Sequence, residues 1–389
     1  MKANPGGRIA PSDVVGRDKL IAQLWGILER QSVVLTSERR IGKTQMVKKM
    51  KAEASEDVLT IFRDLESVRT PLEFVELVFR DVEEFLSRKA RTASRTRQLL
   101  QQLAETEVGG IVKFPKSVAP HWKTLLERTI EDLVEHQERP IVFFWDEVPY
   151  MLFNIKRGDR GEEAAMEVLD LLRQLRQTHD RLRMVFTGSI GLHNVVTSLK
   201  AAGYAGDPTN DMRTINVPPL APLDAEALAL HLLEGEKIET ENPEEIAQAI
   251  AMAVDNIPYY IHHVVEELKF HIGDVNASIA GEMVDRRLRD PLDKWHLQHY
   301  RERIDTYYTP GQRRLALALL DILAADGPLP FDQLFNLIKS RMEIADEEVE
   351  KVRRMLTLLQ RDHYIELETD KTYRFRFPLI RRWWHLNRG

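Results

Sequence analysis

Residues 32–47, SVVLTSERRIGKTQMV, constrain this chain more than any other stretch. "SVVLTS" is a short β-branched run, and the "GKTQMVKKMKAEA" that follows is rich in helix formers with no internal glycine or proline. Strand, tight loop, helix is the predicted order, the opening unit of an α/β sheet. The loop is one residue away from the pattern G-x-x-x-x-G-K-[ST], because Ser37 stands where the first glycine belongs. In such a loop consecutive backbone N–H groups wrap a phosphate, a lysine neutralises its oxygens and a threonine hydroxyl holds magnesium. Gly42, Lys43 and Thr44 supply that chemistry, with Arg39, Arg40, Ile41 and Gln45 around them. A glycine at position 37 would mainly relieve crowding where the chain leaves the strand, and serine is small enough to stand there.

The rest of the chain continues the alternation. "DVLTIFRDL" reads as a second strand, and "TPLEFVELVFRDVEEFL" as an amphipathic helix capped by Thr70 with Pro71 in its first turn. From Ser87 to Pro120 the pattern loosens: "SRKARTASRTRQ" is basic and polar, and "EVGGIVKFPKSVAP" carries turn residues, so a surface insertion is expected. "RPIVFFWDE" and "RLRMVFTGS" are further strands with helical patterns before and between them, and "RTINVPPL" is a fifth. Strands that are apolar without alternation suit a parallel sheet covered by helices on both faces.

"PIVFFWDE" ends in Asp146 and Glu147 about 100 residues after the loop. In a nucleotide hydrolase of this kind the aspartate faces the magnesium and the glutamate orients or deprotonates the attacking water. By that reading Thr44 and Asp146 are the metal-facing pair, and Glu147 the catalytic one. "MVFTGS" ends the next strand with Thr187 and Ser189, placed to sense a γ-phosphate; a plain strand-to-loop turn is the alternative.

After "VPPLAPLD" helices dominate, which places boundaries at 1–220 for a sheet domain and 221–305 for a helical one. The stretch 306–389 orders helix, helix, helix and a hairpin in "YIELETDKTYRFRF", the order of a winged helix. Such a unit presents its third helix to the DNA major groove and its wing cations to phosphates. The third helix starts acidic, while its later residues and Arg374, Arg376, Arg381, Arg382 and Arg388 form a basic edge. Trp383 and Trp384 are expected to anchor the tail in a core. Neighbouring His262 and His263 diverge by about 100° on a helix and do not share a metal. His296 and His299 lack the partners of a zinc motif.

Taken in order, "VVGRDKLIAQLWGILERQSVVLTSERRIGKTQMV", "GGIVKFP", "IVFFWDEVPYM", "FTGSIGL", "VPPLAPLDAEAL", "NIPYYI" and "YRFRFPLIRRWW" resemble the archaeal-type ATPases. These are a branch of the signal-transduction ATPases with numerous domains, related to the AAA+ group. The resemblance implies a P-loop sheet domain, a helical lid and a winged helix. It implies ATP and Mg2+ as ligands, Val15, Gly16 and Arg17 near the adenine, and Pro258 in a Gly-x-Pro motif of the lid. Asn256 replaces that motif's glycine, as Ser37 replaces the loop's. Arg39 and Arg40 suit either phosphate or a clamp on a neighbouring element.

Composition bounds the partners. With 389 residues the chain accommodates two or three cores, and a net charge of −6 leaves any nucleic-acid surface local. It has no cysteine, which excludes disulfides and thiol chemistry and fits a reducing, cytoplasmic setting. No apolar run approaches the roughly 20 residues that span a bilayer. Three functions remain in view: an ATP-driven switch that repositions lid and winged helix toward a protein or DNA partner; a duplex-binding initiator-type module with structural nucleotide; and an oligomerising, defence-type sensor.

Overall fold

The computed structural model describes residues 1–104, 113–158, 160–188, 191–342 and 345–388. The chain divides into two compact units, neither continuous in sequence: Asp18–Thr36 with Lys43–Val217, and Met1–Arg17 with Ser37–Gly42 and Pro218–Gly389.

The first of these is built on five parallel strands, β1 (Val33–Thr36), β2 (Leu59–Asp64), β3 (Ile141–Asp146), β4 (Leu182–Phe186) and β5 (Arg213–Asn216), in the order β2-β3-β4-β1-β5. Every residue of β3 is buried, which explains why its sequence does not alternate. Successive residues of a strand point to opposite faces. Accordingly the ring of Phe144 meets Trp25 of helix Asp18–Leu28, while Trp145 meets Phe74 of helix Pro71–Phe85. Helices therefore cover both faces. Helix Pro71–Phe85 begins as the sequence predicts: Thr70 Oγ1 accepts from the Glu73 N–H at 3.2 Å, and Glu73 Oε2 accepts from the Thr70 N–H at 3.3 Å.

The expected surface insertion needs correction. Among its described residues, Arg88–Ala93 and Arg95–Ala104 are helices, and Ala90, Leu100, Phe114 and Val118 join the buried core. The buried carboxylate of Asp132 accepts from the Ser94 and Thr96 hydroxyls and from the Arg95 and Thr96 N–H groups, which fixes the start of the second helix. Arg95 pairs with Glu131 and Glu135, and Arg97 with Glu83. Two arginines of the basic run are thus tied down by acids of neighbouring helices. Gly109 to Val112 of "GGIVKFP" lie outside the described residues.

The second unit carries helices Pro222–Glu236, Pro243–Ala253, Pro258–Leu268, Ala277–Leu288 and His299–Tyr307. They are followed by helix Pro310–Asp326, β6 (Leu329–Pro330), helix Phe331–Met342, helix Val349–Arg361, β7 (Ile365–Leu367), β8 (Thr372–Phe375) and helix Pro378–Arg388. The strands form an antiparallel sheet, β6-β8-β7. Helix, strand, two helices and a hairpin is winged-helix connectivity. Trp383 and Trp384 are buried, and Trp384 Nε1 donates to Asp321 Oδ1 at 2.8 Å.

Asp255 and Asn256 close helix Pro243–Ala253 with positive φ of 54° and 57°. The Asn256 N–H reaches back to the Ala251 carbonyl at 2.8 Å, the six-to-one bond of a helix-ending turn. A glycine would serve this left-handed position, and asparagine is among the few other residues that adopt it at little cost. Asp255 Oδ2 accepts from the Leu379 N–H at 2.8 Å, at the start of the last helix. Burial carries its carboxyl up to about 7, against that bond and the charge of Arg382, which pull it down. Protonated in the folded chain and ionised in the unfolded one, it gives stability that is complete below its ordinary value of 3.8 and lost as pH rises to about 7. The loss runs at about 1.4 kcal/mol per pH unit within that window. Asp255→Asn should flatten it: melting curves from pH 5 to 7 are expected to show wild type falling relative to the variant by about 2 °C or more per unit. Parallel curves would refute this.

Among the described residues, no helix is long and apolar enough to cross a membrane.

Candidate phosphate-binding site

The C-terminal ends of the sheet's central strands bring the expected residues of the first unit together. Lys43 and Thr44 open helix Lys43–Ala52, just beyond β1, and Lys43 is buried. Asp146 is the last residue of β3. Its Oδ2 accepts from Thr44 Oγ1 at 2.5 Å, its Oδ1 from Thr187 Oγ1 at 2.5 Å and from the Glu147 N–H at 3.1 Å. Adjacent parallel strands put them there: Trp145 pairs with Phe186, so the residues after them emerge side by side.

Thr187 is only 1% exposed and is committed to Asp146. That bond holds the carboxylate in place, at the strand end where the sequence suggested a polar side chain sensing a γ-phosphate. Ser189, the other candidate at this strand end, lies outside the described residues, as does Ile190. Glu147 follows Asp146 in a left-handed conformation, φ 58° and ψ 31°, at the start of helix Val148–Lys156. A non-glycine residue held there marks stored backbone strain, a common feature of functional sites. Next to it Gly188 leaves room, because a β-carbon there would stand 2.6 Å from Pro149 Cδ.

A hydroxyl and a carboxylate side by side are the donors magnesium takes from a protein. It binds through one or two carboxylates and completes its octahedron with water and phosphate oxygens. Thr44 and Asp146 fit that ion. Among the described residues no group of three His, Cys, Asp or Glu is arranged to hold a metal, and magnesium with phosphate needs none.

In the second unit the loop Ser37–Gly42 is held by side chains from three separate segments. Arg17 Nη2 donates to the Ile41 carbonyl at 2.8 Å, and its Nη1 to that of Pro218 at 2.8 Å. Burial lowers the Arg17 pKa to about 10, partly offset by Asp224. The Arg40 guanidinium lies 4.0 Å from the centroid of the Tyr259 ring. Glu38, with its side chain fully buried, pairs with Arg303 at 2.6 Å. The loop's unusual dihedrals fall on Arg40, φ 72°, and Gly42, φ 97°, and not on Ser37. Serine at the first position therefore costs the backbone nothing. At Gly42 a β-carbon would meet nothing within 4 Å, so glycine is there for its dihedral.

The other candidates are placed as follows. Gly16 needs to be glycine twice over: its φ is 69°, and a β-carbon would stand 2.7 Å from Asp224 Cβ. Val15 lines an open cavity of about 460 Å3 with Asp13, His231 and Glu234. Pro258 is the first residue of its helix, where its missing N–H is harmless. Arg39 is exposed, its N–H donating to Glu38 Oε1 at 2.8 Å, and Gln45 lies in the first turn of helix Lys43–Ala52. Sequence reasoning missed Glu38, Tyr259 and Arg303.

No protein-family model matches the sequence, and no curated protein matches it either. Solved structures do. The Walker-type ATPase PABY2304 of Pyrococcus abyssi superposes with a TM-score of 0.66 at 16% identity, covering 98% of both chains. The ORC2 protein of Aeropyrum pernix, in its ADPNP–ADP complexes, gives 0.55 at 11% identity, over 98% of this chain and 94% of that one. At such identities the likeness speaks for architecture alone, and with the sheet order, the loop and the C-terminal connectivity it identifies the fold as that of an AAA+-like P-loop ATPase.

Proposed function

We propose that this chain is an ATP-binding and ATP-hydrolysing molecular switch, of the archaeal-type ATPase kind, whose nucleotide state repositions its helical lid and winged helix toward a partner. The observation that carries the proposal is the hydrogen bond from Thr44 to Asp146, which joins the threonine of the glycine-lysine-threonine motif to the acidic end of β3. Lys43 neutralises the β and γ oxygens of the triphosphate, and the N–H groups of Gly42, Lys43 and Thr44 cradle the β-phosphate. Thr44 and Asp146 hold magnesium, which when bound neutralises phosphate charge. Glu147 orients the attacking water and takes its proton, Thr187 keeps Asp146 aimed, and Val15 lies beside the adenine.

The lid boundaries at 221–305 and the winged helix at 306–389 belong to the same proposal. For the partner, protein contact is favoured over duplex contact. Lys351 pairs with Glu348, Arg353 with Glu350, and Arg374 with both Glu366 and Glu368. Arg382 is engaged by Asp285, and Arg388 by Asp321. Cations already matched by acids release fewer counterions from DNA, the main drive for duplex binding.

Calorimetric titration of the whole chain with a non-hydrolysable ATP analogue tests the proposal. Saturable binding that weakens when magnesium is chelated is expected. No binding at millimolar analogue would remove the proposal.

A further inference from the structure

The loop carries an acidic residue where a triphosphate has to be received. Glu38 is the first residue after Ser37, only 1% exposed, and its carboxylate sits in a segment whose task is to bind anions. A buried carboxylate without a counter-charge is costly in itself and would also repel phosphate. The counter-charge comes from 265 residues further on: Arg303 Nη1 donates to Glu38 Oε1 at 2.6 Å, and the same oxygen accepts the Arg39 N–H at 2.8 Å. One carboxylate oxygen thus ties the loop's backbone to helix His299–Tyr307.

That helix is bonded on its other side to the winged helix. The Arg303 guanidinium lies 5.4 Å from the ring centroid of Tyr364, whose hydroxyl donates to the Tyr300 carbonyl at 2.7 Å. One residue beyond the helix, the Tyr308 hydroxyl donates to the buried Asp362 at 2.6 Å. Asp362 and Tyr364 bracket the turn between helix Val349–Arg361 and β7. Burial alone would lower the Arg303 pKa; the charge of Glu38, joined by that of Asp362, carries it above the ordinary arginine value instead.

We propose that Arg303 is a positioning residue for the phosphate-binding loop, setting it through Glu38, and that its contact with Tyr364 passes the loop's nucleotide state to the root of the winged helix. The proposal rests on ATP being the loop's ligand. Arg303 touches no substrate. It keeps Glu38 neutralised and turned away from the phosphates, and any shift of Glu38 on binding moves a guanidinium already packed against the C-terminal hairpin.

A double-mutant cycle with two readouts tests this. Affinity for the magnesium complex of a non-hydrolysable ATP analogue is measured for full-length wild type, Arg303→Met, Glu38→Gln and the double variant. Arg303→Met is expected to weaken binding tenfold or more when Glu38 is present, and less than threefold when it is already glutamine. Arg303→Lys, which keeps the charge, should recover part of the loss. Hydrogen exchange at residues 362–367 should respond to the analogue in wild type and cease to respond in every Arg303→Met protein. Equal losses in both backgrounds, or a preserved exchange response, would overturn the proposal. If Arg303→Met alone does not fold, the exchange response of the double variant decides. Wild type that fails to bind the analogue removes the ATP reading itself, whereas binding with an unchanged Arg303→Met affinity removes only this inference.

Discussion

Lys43→Ala is expected to abolish the thermal stabilisation that Mg–ATP gives the wild-type chain. At a nucleotide concentration one hundred times the dissociation constant, binding to the folded state alone adds about 2.7 kcal/mol. For a chain of this size that raises the melting temperature by about 3 °C. Lys43 opens helix Lys43–Ala52 and is buried at its N-terminal end, so alanine leaves the helix intact and removes the one point charge assigned to the β and γ oxygens. Melting curves with and without millimolar Mg–ATP decide the matter. A variant still stabilised like wild type would mean that the triphosphate is gripped elsewhere.

Glu147→Gln separates binding from chemistry. The amide preserves the size of the side chain and, lying at a left-handed position, disturbs the backbone little, but it no longer takes a proton. General-base contributions run to about 10²–10⁴-fold. Phosphate release should therefore fall by about a hundredfold or more while the affinity for Mg–ATP stays within about threefold of wild type. A variant that turns over normally would move the base to another group. One that loses affinity and turnover together would show that Glu147 serves binding.

What could be read from the sequence was what short windows encode. Strand β3 was legible because Ile141–Trp145 is buried on both faces and so stays apolar throughout. Lys43, Thr44, Asp146 and Glu147 stood out as candidates because the loop pattern and the strand end each occupy a few consecutive residues, and the structure joins Thr44 to Asp146. The first loop position misled only by its letter, since the backbone places its positive φ at Arg40 and Gly42. Residues 87–104 were misread because their cations suggested solvent, whereas Asp132, far off in sequence, caps one helix and Glu83, Glu131 and Glu135 take up the arginines. Tertiary partners overrode local propensity there. β6, two residues long, carries no pattern at all. The Glu38–Arg303 pair spans 265 positions, and no spacing rule reaches so far.

The discontinuity of the two compact units bears on any attempt to dissect the protein. Six residues, Ser37–Gly42, are looped out of the sheet unit and built into the other one. An isolated fragment ending at Val217 would keep the whole glycine-lysine-threonine motif, yet lose Tyr259 and Arg303, leaving Glu38 with its buried counter-ion gone. Weak nucleotide affinity in such a fragment would therefore reflect where the cut was made, and would say little about the intact chain.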